Sequence, residues 1–197
     1  MRRELVQTPA PVDAIAIGAS AGGIDALLAL LGGLAPPWRA AVVVVLHLAA
    51  DRDSRLPEVL GQRLGGHVEE ARPGAPVAPG RLYLAPPGYH LLVEQSRTFA
   101  LSCDPPVLFS RPSIDVLLES CADAYGAALA ALVLTGASED GARGLAAVKA
   151  AGGLALAQDP DEAAHPLMPG AAIAAADPDA VLPLAELKAL LQGLLTP

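Results

Sequence analysis

Apolar residues follow two patterns along this chain: short unbroken runs, and longer stretches in which leucines recur with helical spacing. The unbroken runs are typical of strands buried on both faces of a parallel sheet. They predict strands at 12–17, 41–46, 81–85, 129–134 and 154–157. The helical spacing predicts helices at 22–34, 55–64, 141–150 and 183–195, and Ser113 can cap another helix that runs to about Asp123.

One pair of apolar stretches interrupts this alternation of strands and helices. Residues 89–93 and 98–102 are separated by Glu-Gln-Ser-Arg, which predicts an antiparallel hairpin. The Pro- and Gly-rich segments 72–80 and 158–170 are predicted loops. The fold class is therefore α/β, a doubly wound and mainly parallel sheet with helices on both faces and an antiparallel hairpin.

The domain organisation follows from the length and from the absence of any linker-like segment. The chain has 197 residues, of which 53% are apolar and only 3% aromatic, so small aliphatic side chains must build one core. We expect an N-terminal tail over residues 1–11 and a single catalytic domain over residues 12–195.

Charge and cysteine content narrow the classes of function. A net charge of −8 without a Lys/Arg cluster argues against nucleic acid as a partner, because phosphate binding needs a basic surface. The two cysteines, Cys103 and Cys121, are too few for a disulfide framework and lack metal-ligand spacing, so we expect reduced thiols, no metal and no cofactor.

Membrane insertion is also not expected. The N-terminus has no apolar core of a signal peptide, and the longest nearly apolar stretch, 124–137, is shorter than the ~20 residues that a span requires. That stretch is better interpreted as a helix end followed by a buried strand. We therefore expect a cytoplasmic location.

The first predicted strand ends in a motif that could carry chemistry. Residues 18–22, Gly-Ala-Ser-Ala-Gly, satisfy G-x-S-x-G at a strand-to-helix junction, where a strained glycine turn can lift the hydroxyl of Ser20 above the sheet edge. The following helix N-terminus could stabilise an oxyanion. Alternatively, Ser20 merely caps that helix. The motif alone does not decide between the two.

Two further strand ends favour a nucleophile. His47 directly follows the strand 41–46, and Asp140 lies in the loop after the strand 129–134, just before a helix. If these strands flank the first one, Ser20, His47 and Asp140 emerge at the same carboxyl edge, where parallel α/β sheets bind ligands. His47 would act as base and Asp140 would orient it. Alternatively, His47 is bonded to a backbone carbonyl and Asp140 caps its own helix. The other histidines, His67, His90 and His165, rank lower as the base.

A nucleotide-binding loop is the competing interpretation of residues 18–23. The sequence GASAGG approximates G-x-G-x-x-G, but its middle glycine, which must be bare for backbone to approach a pyrophosphate, is Ser20. No P-loop Lys-Ser/Thr pair follows either. Nucleotide binding is therefore the weaker hypothesis.

The ordered motifs GASAGG, LYLAPPGYH, RPSIDVLLES, TGASEDGARG and LAQDPDEAAHPLMPGAAI resemble the catalytic domain of the CheB-type chemotaxis protein-glutamate methylesterases, over roughly residues 12–195. The resemblance implies a serine esterase that hydrolyses γ-glutamyl methyl esters on the cytoplasmic helices of chemoreceptors, releases methanol, and also deamidates glutamines in many members. It matches Ser20, His47 and Asp140 to the catalytic triad. A catalytically inactive docking module with the same fold is the alternative.

Further site residues follow from this resemblance. The backbone N–H groups of Ala21 and Ala137 are candidates for the oxyanion hole, and Arg111 and Met168 are candidate substrate-binding residues. Arg111 could instead stabilise the rim or form a surface ion pair. The implied partner is a methylated chemoreceptor or a similar methylated protein.

The chain also departs from the family pattern. Ala21 stands where Thr is usual after the nucleophile, Leu48-Ala49 where Met-Pro is usual, and Ala137-Ser138 where Met-Gly is usual. These changes bear on substrate fit and rate more than on the reaction class. Only about eleven residues precede the resemblance, where members usually carry a receiver domain. We therefore expect no control by phosphorylation within this chain, unless a receiver domain was removed or acts in trans; a kinase acting in trans is a further candidate partner.

Overall fold

The computed structural model describes residues 11–34, 38–47, 56–64 and 68–196. Its strands are β1 (Ala14–Ala19), β2 (Ala41–Leu46), β3 (Val68–Glu70), β4 (Leu82–Leu84), β5 (His90–Val93), β6 (Phe99–Ser102), β7 (Leu129–Val133), β8 (Leu154–Gln158) and β9 (Ala180–Leu182). Its helices are α1 (Gly23–Leu31), α2 (Leu56–Leu64), α3 (Ile114–Tyr125), α4 (Ala142–Ala150), α5 (Leu167–Ala176) and α6 (Leu184–Leu195). Arg55, the first residue of the helix predicted at 55–64, lies outside the described residues.

Seven strands form one sheet in the order β3-β4-β2-β1-β7-β8-β9, and every pairing in it is parallel. Strands β5 and β6 pair antiparallel as a separate two-stranded sheet, as the sequence predicted. Alternate residues of β1 belong to opposite cores. Ile15 and Ile17 pack with α1, α2 and α6, whereas Ala14 and Ala16 pack with α3, α4, α5 and the hairpin. Helices thus cover both faces, which confirms the doubly wound fold class.

Three elements escaped the sequence prediction. Strands β3 and β9 have three partly exposed residues each, too few to show a period. Helix α5 was wrongly predicted as the end of a loop at 158–170, because Pro169 and Gly170 discourage a helix assignment. Both residues lie in the first helical turn, where the missing N–H of proline leaves no helical bond unmade.

The register of the central strands sets the position of the site. Ala19 of β1 pairs with Leu46 of β2, and Gly18 pairs with Val133 of β7. The chain therefore leaves these three adjacent strands at one carboxyl edge. Ser20, His47 and the loop after β7 meet there, as the sequence predicted.

Candidate active site

Ser20 is the first residue after β1 and is half-buried. Its backbone N–H donates to the carbonyl of Thr135 (3.0 Å), which fixes it beside the loop after β7. Among the residues that the structure describes, Ser20 Oγ has no hydrogen-bond partner. The hydroxyl is therefore held in place by its backbone and left available.

The alternative role of Ser20 as a helix cap does not occur. The N-cap of α1 is Gly22, and no side chain caps this end of the helix. Gly22 has φ +76°, a left-handed conformation that favours glycine, whereas Ser20 is not among the described non-glycine residues with positive φ. The tight glycine turn expected after β1 is present: Gly22 adopts the left-handed conformation, and the N–H of Gly23 donates to the carbonyl of Ser20 (2.8 Å). The other motif glycine, Gly18, admits the side chain of Ile114, which would contact any Cβ there.

His47 and Asp140 are joined directly. The backbone N–H of His47 donates to Ala19 (3.1 Å), so the histidine follows β2 next to Ser20. Its Nε2 lies 2.9 Å from Oδ2 of Asp140, and the two side chains are 11% and 0% exposed. A buried carboxylate accepts here, so Nε2 carries the proton and Nδ1 keeps its lone pair. Nδ1 is therefore the basic atom.

Asp140 does not cap its own helix but sits at the N-terminus of α3. Its Oδ1 accepts from Ser113 Oγ (2.8 Å) and the N–H of Asp115 (2.9 Å), and its Oδ2 accepts from the N–H of Ile114 (2.7 Å) besides His47. Burial is the largest single influence on the pKa of Asp140, and it raises that pKa. The hydrogen bonds from His47 and from the start of α3 lower it, and together they outweigh burial. The pKa of Asp140 is thus below its ordinary value, and the carboxylate stays ionised.

A second aspartate makes the reciprocal contact. Asp115 Oδ1, from the first turn of α3, accepts from the N–H groups of Gly141 (2.9 Å) and Gly144 (2.7 Å) at the start of α4. Burial raises the pKa of Asp115, and the neighbouring charge of Asp140 adds to this, although the bond from Gly144 opposes it. The loop before α4 thus supplies Asp140 to the N-terminus of α3, and α3 supplies Asp115 to the N-terminus of α4; these reciprocal bonds hold Asp140 in position.

Sequence reasoning missed two residues behind Asp140. Buried His90 accepts from the N–H of Ser113 through Nδ1 (3.2 Å) and faces the carbonyl of Pro105 through Nε2 (3.1 Å). Ser113 in turn donates its hydroxyl to Asp140 and accepts from Val116 as the predicted cap of α3. No sequence signal joins these positions, because they meet only after the hairpin packs on α3.

A further serine approaches the basic nitrogen of His47. Ser110 Oγ lies 3.4 Å from Nδ1, a distance at which a hydrogen bond is weak. No hydrogen bond joins Nδ1 to Ser20 within the described part of the chain. Within the described part of the chain, Ser110 is therefore the serine whose hydroxyl contacts this nitrogen, and sequence reasoning did not identify it.

The loop after β7 contacts the nucleophile loop closely. Thr135 Oγ1 donates to the carbonyl of Ala21 (3.0 Å) and accepts from the N–H of His165 (2.9 Å), which ties three loops together. A Cβ placed on Gly136 would lie 2.9 Å from Ser20 Cβ and 2.5 Å from the sulfur of Met168. Only a bare backbone fits between these two side chains.

We expect Gly136→Ala to displace Ser20 and lower the rate of active-site labelling by about a hundredfold, since small misplacements of a reacting atom have effects of that order. A fluorophosphonate labelling time course checks this. Gly170→Ala is the matched control, because a Cβ at Gly170 meets nothing within 4 Å. Equal labelling rates for the two variants would contradict a tightly packed site.

The remaining predicted site residues lie around this centre. Ala21 is half-buried and Ala137 exposed, and the N–H of each lacks a partner among the described residues.

Arg111 Nη1 donates to the carbonyls of Cys103 (2.9 Å) and Asp104 (3.1 Å), so it braces a rim loop and makes no ion pair within the described chain. Met168 is fully buried beneath Gly136, so here its side chain packs under the site and does not line its surface. Leu48, Ala49 and His67 lie outside the described residues.

A recess of about 230 Å³ adjoins Ser20 and bears on the nucleotide hypothesis. Its walls include Ile24, Leu46 and Asp25, the last in the first turn of α1. A carboxylate at that helix end repels a phosphate, so the recess suits a neutral, partly apolar group better. Within the described ranges, no group of three or more His, Cys, Asp or Glu side chains could hold a metal ion.

The fold and the site define a doubly wound α/β protein with a Ser-His-Asp constellation at the carboxyl edge of its sheet, in a chain order that differs from that of the α/β-hydrolases. The family model of the CheB methylesterases matches residues 15–191. The chain therefore belongs to the CheB methylesterase family.

Individual relatives agree with this assignment. A protein of Leptospira interrogans named putative protein-glutamate methylesterase/protein-glutamine glutaminase is 42% identical over 90% of this chain and 92% of its own length. A protein-glutamate methylesterase/protein-glutamine glutaminase of Paramagnetospirillum magneticum is 41% identical over 91% of this chain but 48% of its own. The crystal structure of the Thermotoga maritima CheB methylesterase catalytic domain matches with a TM-score of 0.87 and 30% identity, over 93% of this chain and 98% of that one.

Proposed function

We propose that this protein is a serine hydrolase that removes methyl esters from glutamate side chains of methylated chemoreceptors and deamidates glutamines by the same route. The observation that carries the proposal is the His47–Asp140 pair beside an unbonded Ser20 at one sheet edge. The names of the relatives support the glutamyl substrate, and the depressed pKa of Asp140 supports a histidine held in the basic tautomer.

The reaction would proceed through an acyl-enzyme. Ser20 Oγ attacks the γ-carbonyl carbon of the ester while His47 Nδ1 takes the hydroxyl proton, and Asp140 stabilises the imidazolium. His47 then gives that proton to the departing methoxide, which leaves as methanol. Water attacks the acyl-enzyme with His47 again as base, which regenerates Ser20 and releases glutamate. With glutamine, the leaving group is ammonia.

We propose that the backbone N–H groups of Ala21 and Ala137 bind the oxyanion. Ala137 directly follows Gly136, at which an added Cβ would lie 2.9 Å from Ser20 Cβ, and the N–H groups of Ala21 and Ala137 both lack partners among the described residues. Preorganised donors of this kind each contribute about 2.7–4 kcal/mol to transition-state stabilisation. Since the donors are backbone groups, alanine at both positions retains them.

The recess beside Ser20 supports the preference for a neutral ester. Its apolar wall, Ile24 and Leu46, suits a methoxy group, whereas Asp25 repels the carboxylate that hydrolysis produces. Product release is favoured for the same reason. Arg111 would act as a rim brace and Met168 as a support beneath Gly136, rather than through direct contact with substrate.

The setting of the reaction is the cytoplasmic side of the membrane, where the receptor helices would be reached. No helix among the described residues is both long and apolar enough to cross a membrane. The chain spans about half the length of relatives such as the Paramagnetospirillum protein. We propose that a receiver domain or kinase acting in trans regulates this activity.

Receptor-containing membranes methylated with a radiolabelled methyl group provide the test. We expect the purified protein to release volatile labelled methanol in proportion to its concentration. Failure to release methanol, despite rapid labelling by a fluorophosphonate, would exclude this substrate while leaving a serine hydrolase. Absence of both reactions would instead favour the docking module, which the departures at Ala21 and Ala137 motivate.

A further inference from the structure

His90 is a buried histidine whose two ring nitrogens both have partners. It begins β5 and is 1% exposed. Its Nδ1 accepts from the backbone N–H of Ser113 (3.2 Å), so the ring proton lies on Nε2 and is donated to the carbonyl of Pro105 (3.1 Å). A leucine could fill a similar volume but would leave both backbone groups without these partners. What the imidazole adds to packing is therefore this pair of bonds.

The two partners of His90 flank a chain segment that borders the candidate site. Between Pro105 and Ser113 lies Ser110, whose Oγ is 3.4 Å from Nδ1 of His47. The ring of His90 thus bridges the two ends of this segment. One of those ends, Ser113, is the N-cap of α3.

The start of α3 divides its backbone N–H groups between His90 and Asp140. The N–H of Ser113 donates to His90, whereas the N–H groups of Ile114 (2.7 Å) and Asp115 (2.9 Å) donate to the Asp140 carboxylate. Ser113 also donates its hydroxyl to Asp140 (2.8 Å). Since Ser113 carries both groups, a turn of its backbone toward another acceptor would move the hydroxyl that binds Asp140.

We infer that His90 is a positioning residue, which holds Ser113 and the first turn of α3 where they fix the carboxylate of Asp140. Asp140 in turn lies 2.9 Å from Nε2 of His47. The inference rests on the proposed function, because it takes Asp140 as the group that orients a basic His47. His90 acts on this pair through Ser113.

Three substitutions at His90 separate its acceptor from its donor. The side-chain oxygen of asparagine can replace Nδ1, the amide of glutamine can replace Nε2, and phenylalanine keeps a ring without either bond. We expect His90→Phe and His90→Gln to slow fluorophosphonate labelling of Ser20 by about ten- to a hundredfold, and His90→Asn by less than about threefold, because only the asparagine keeps the acceptor for Ser113. In methanol release, the loss should fall on kcat and leave KM unchanged, since the orientation of the base is altered.

Ser120→Ala is the matched control, because it removes another hydrogen bond between the hairpin and α3. Ser120 lies further along α3, and its Oγ accepts from the backbone N–H of Val93 (3.1 Å), on the same strand as His90. The melting temperature should fall, as in His90→Phe. The labelling rate should stay within about twofold of the unsubstituted protein, since separate sites act independently.

Equal labelling rates for His90→Phe and the unsubstituted protein would overturn the inference. So would rates that simply follow the melting temperature across the variants, Ser120→Ala included, or a His90→Asn variant as slow as His90→Gln. If His90→Phe does not fold, the comparison of His90→Asn with His90→Gln decides the question. Failure of the proposed function shows in the unsubstituted protein: labelling without methanol release excludes the substrate and leaves the inference to the labelling rates, whereas absence of labelling overturns both.

Discussion

Replacing Ser20 by alanine is expected to lower receptor demethylation by about a millionfold, the scale seen when a nucleophilic serine is removed. The attacking oxygen is lost, so neither the acyl-enzyme nor a fluorophosphonate adduct can form. Methanol release and stoichiometric labelling, measured by intact mass, check both consequences. Normal turnover by Ser20→Ala would contradict the proposed function directly.

Ser110→Ala is the control for Ser20→Ala. Ser110 Oγ, rather than Ser20 Oγ, lies within 3.4 Å of His47 Nδ1, so geometry alone does not rank the two hydroxyls. The motif, the neighbouring N–H groups of Ala21 and Ala137, and the recess all favour Ser20. We expect Ser110→Ala to retain labelling, with the adduct mapped to Ser20 by peptide mass spectrometry. An adduct on Ser110 would transfer the nucleophilic role to that residue.

Stability measurements on Ser20→Ala would distinguish a chemical loss of activity from a structural one. The side chain of Ser20 is half-buried, does not cap α1, and has no hydrogen-bond partner among the described residues. Its removal should therefore change the free energy of unfolding by no more than about 0.5 kcal/mol. A large destabilisation would mean that Ser20 supports the loop after β1.

The sequence was sufficient for the central sheet and for the placement of three residues. Unbroken apolar runs identify β1, β2 and β7 because these strands are buried on both faces, and parallel pairing then brings their carboxyl ends together. Ser20, His47 and Asp140 needed only that one inference. Their catalytic roles remain a prediction.

Contacts between distant side chains could not be predicted in the same way. Nothing in the local pattern indicates that Asp140 caps α3 while Asp115 caps α4, because each partner lies about 25 residues away in the chain. His90 likewise reaches Ser113 only through the packing of the hairpin. The strands β3 and β9 were missed for a different reason, since three residues at a sheet edge carry no periodicity.

Asp140→Asn is the second substitution with a large expected effect. The amide cannot accept all four of the bonds that the carboxylate accepts, and its NH₂ group would face N–H donors of α3 or His47. Labelling of Ser20 should slow by about 10⁴-fold, because His47 loses both its orientation and the charge that stabilises the imidazolium. Urea unfolding at neutral pH should show a loss of at least about 1–3 kcal/mol in the free energy of unfolding, the usual penalty for a buried unpaired group.

The pH dependence of that loss follows from the direction of the Asp140 shift. A carboxyl with a lowered folded-state pKa stabilises the fold above the unfolded-state value of about 3.9, and this contribution disappears as the pH falls through the folded-state pKa. The difference in unfolding free energy between Asp140→Asn and the unsubstituted protein should therefore be largest near neutral pH and shrink in acid. A difference that grew in acid would contradict an ionised Asp140.

Asp115→Asn separates the support that Asp140 gives to the fold from its contact with His47. Asp115 is also a buried aspartate that caps a helix, α4, but it does not contact His47. Burial disfavours the ionised form of Asp115 and raises its pKa. Any contribution of Asp115 to stability is therefore fully present only at low pH, and it declines as the pH rises through the pKa of Asp115 in the folded protein. Near neutral pH, Asp115→Asn should therefore destabilise less than Asp140→Asn and slow labelling far less. Equal losses of labelling would assign Asp140 a purely structural function; a selective loss would identify it as the residue that orients His47.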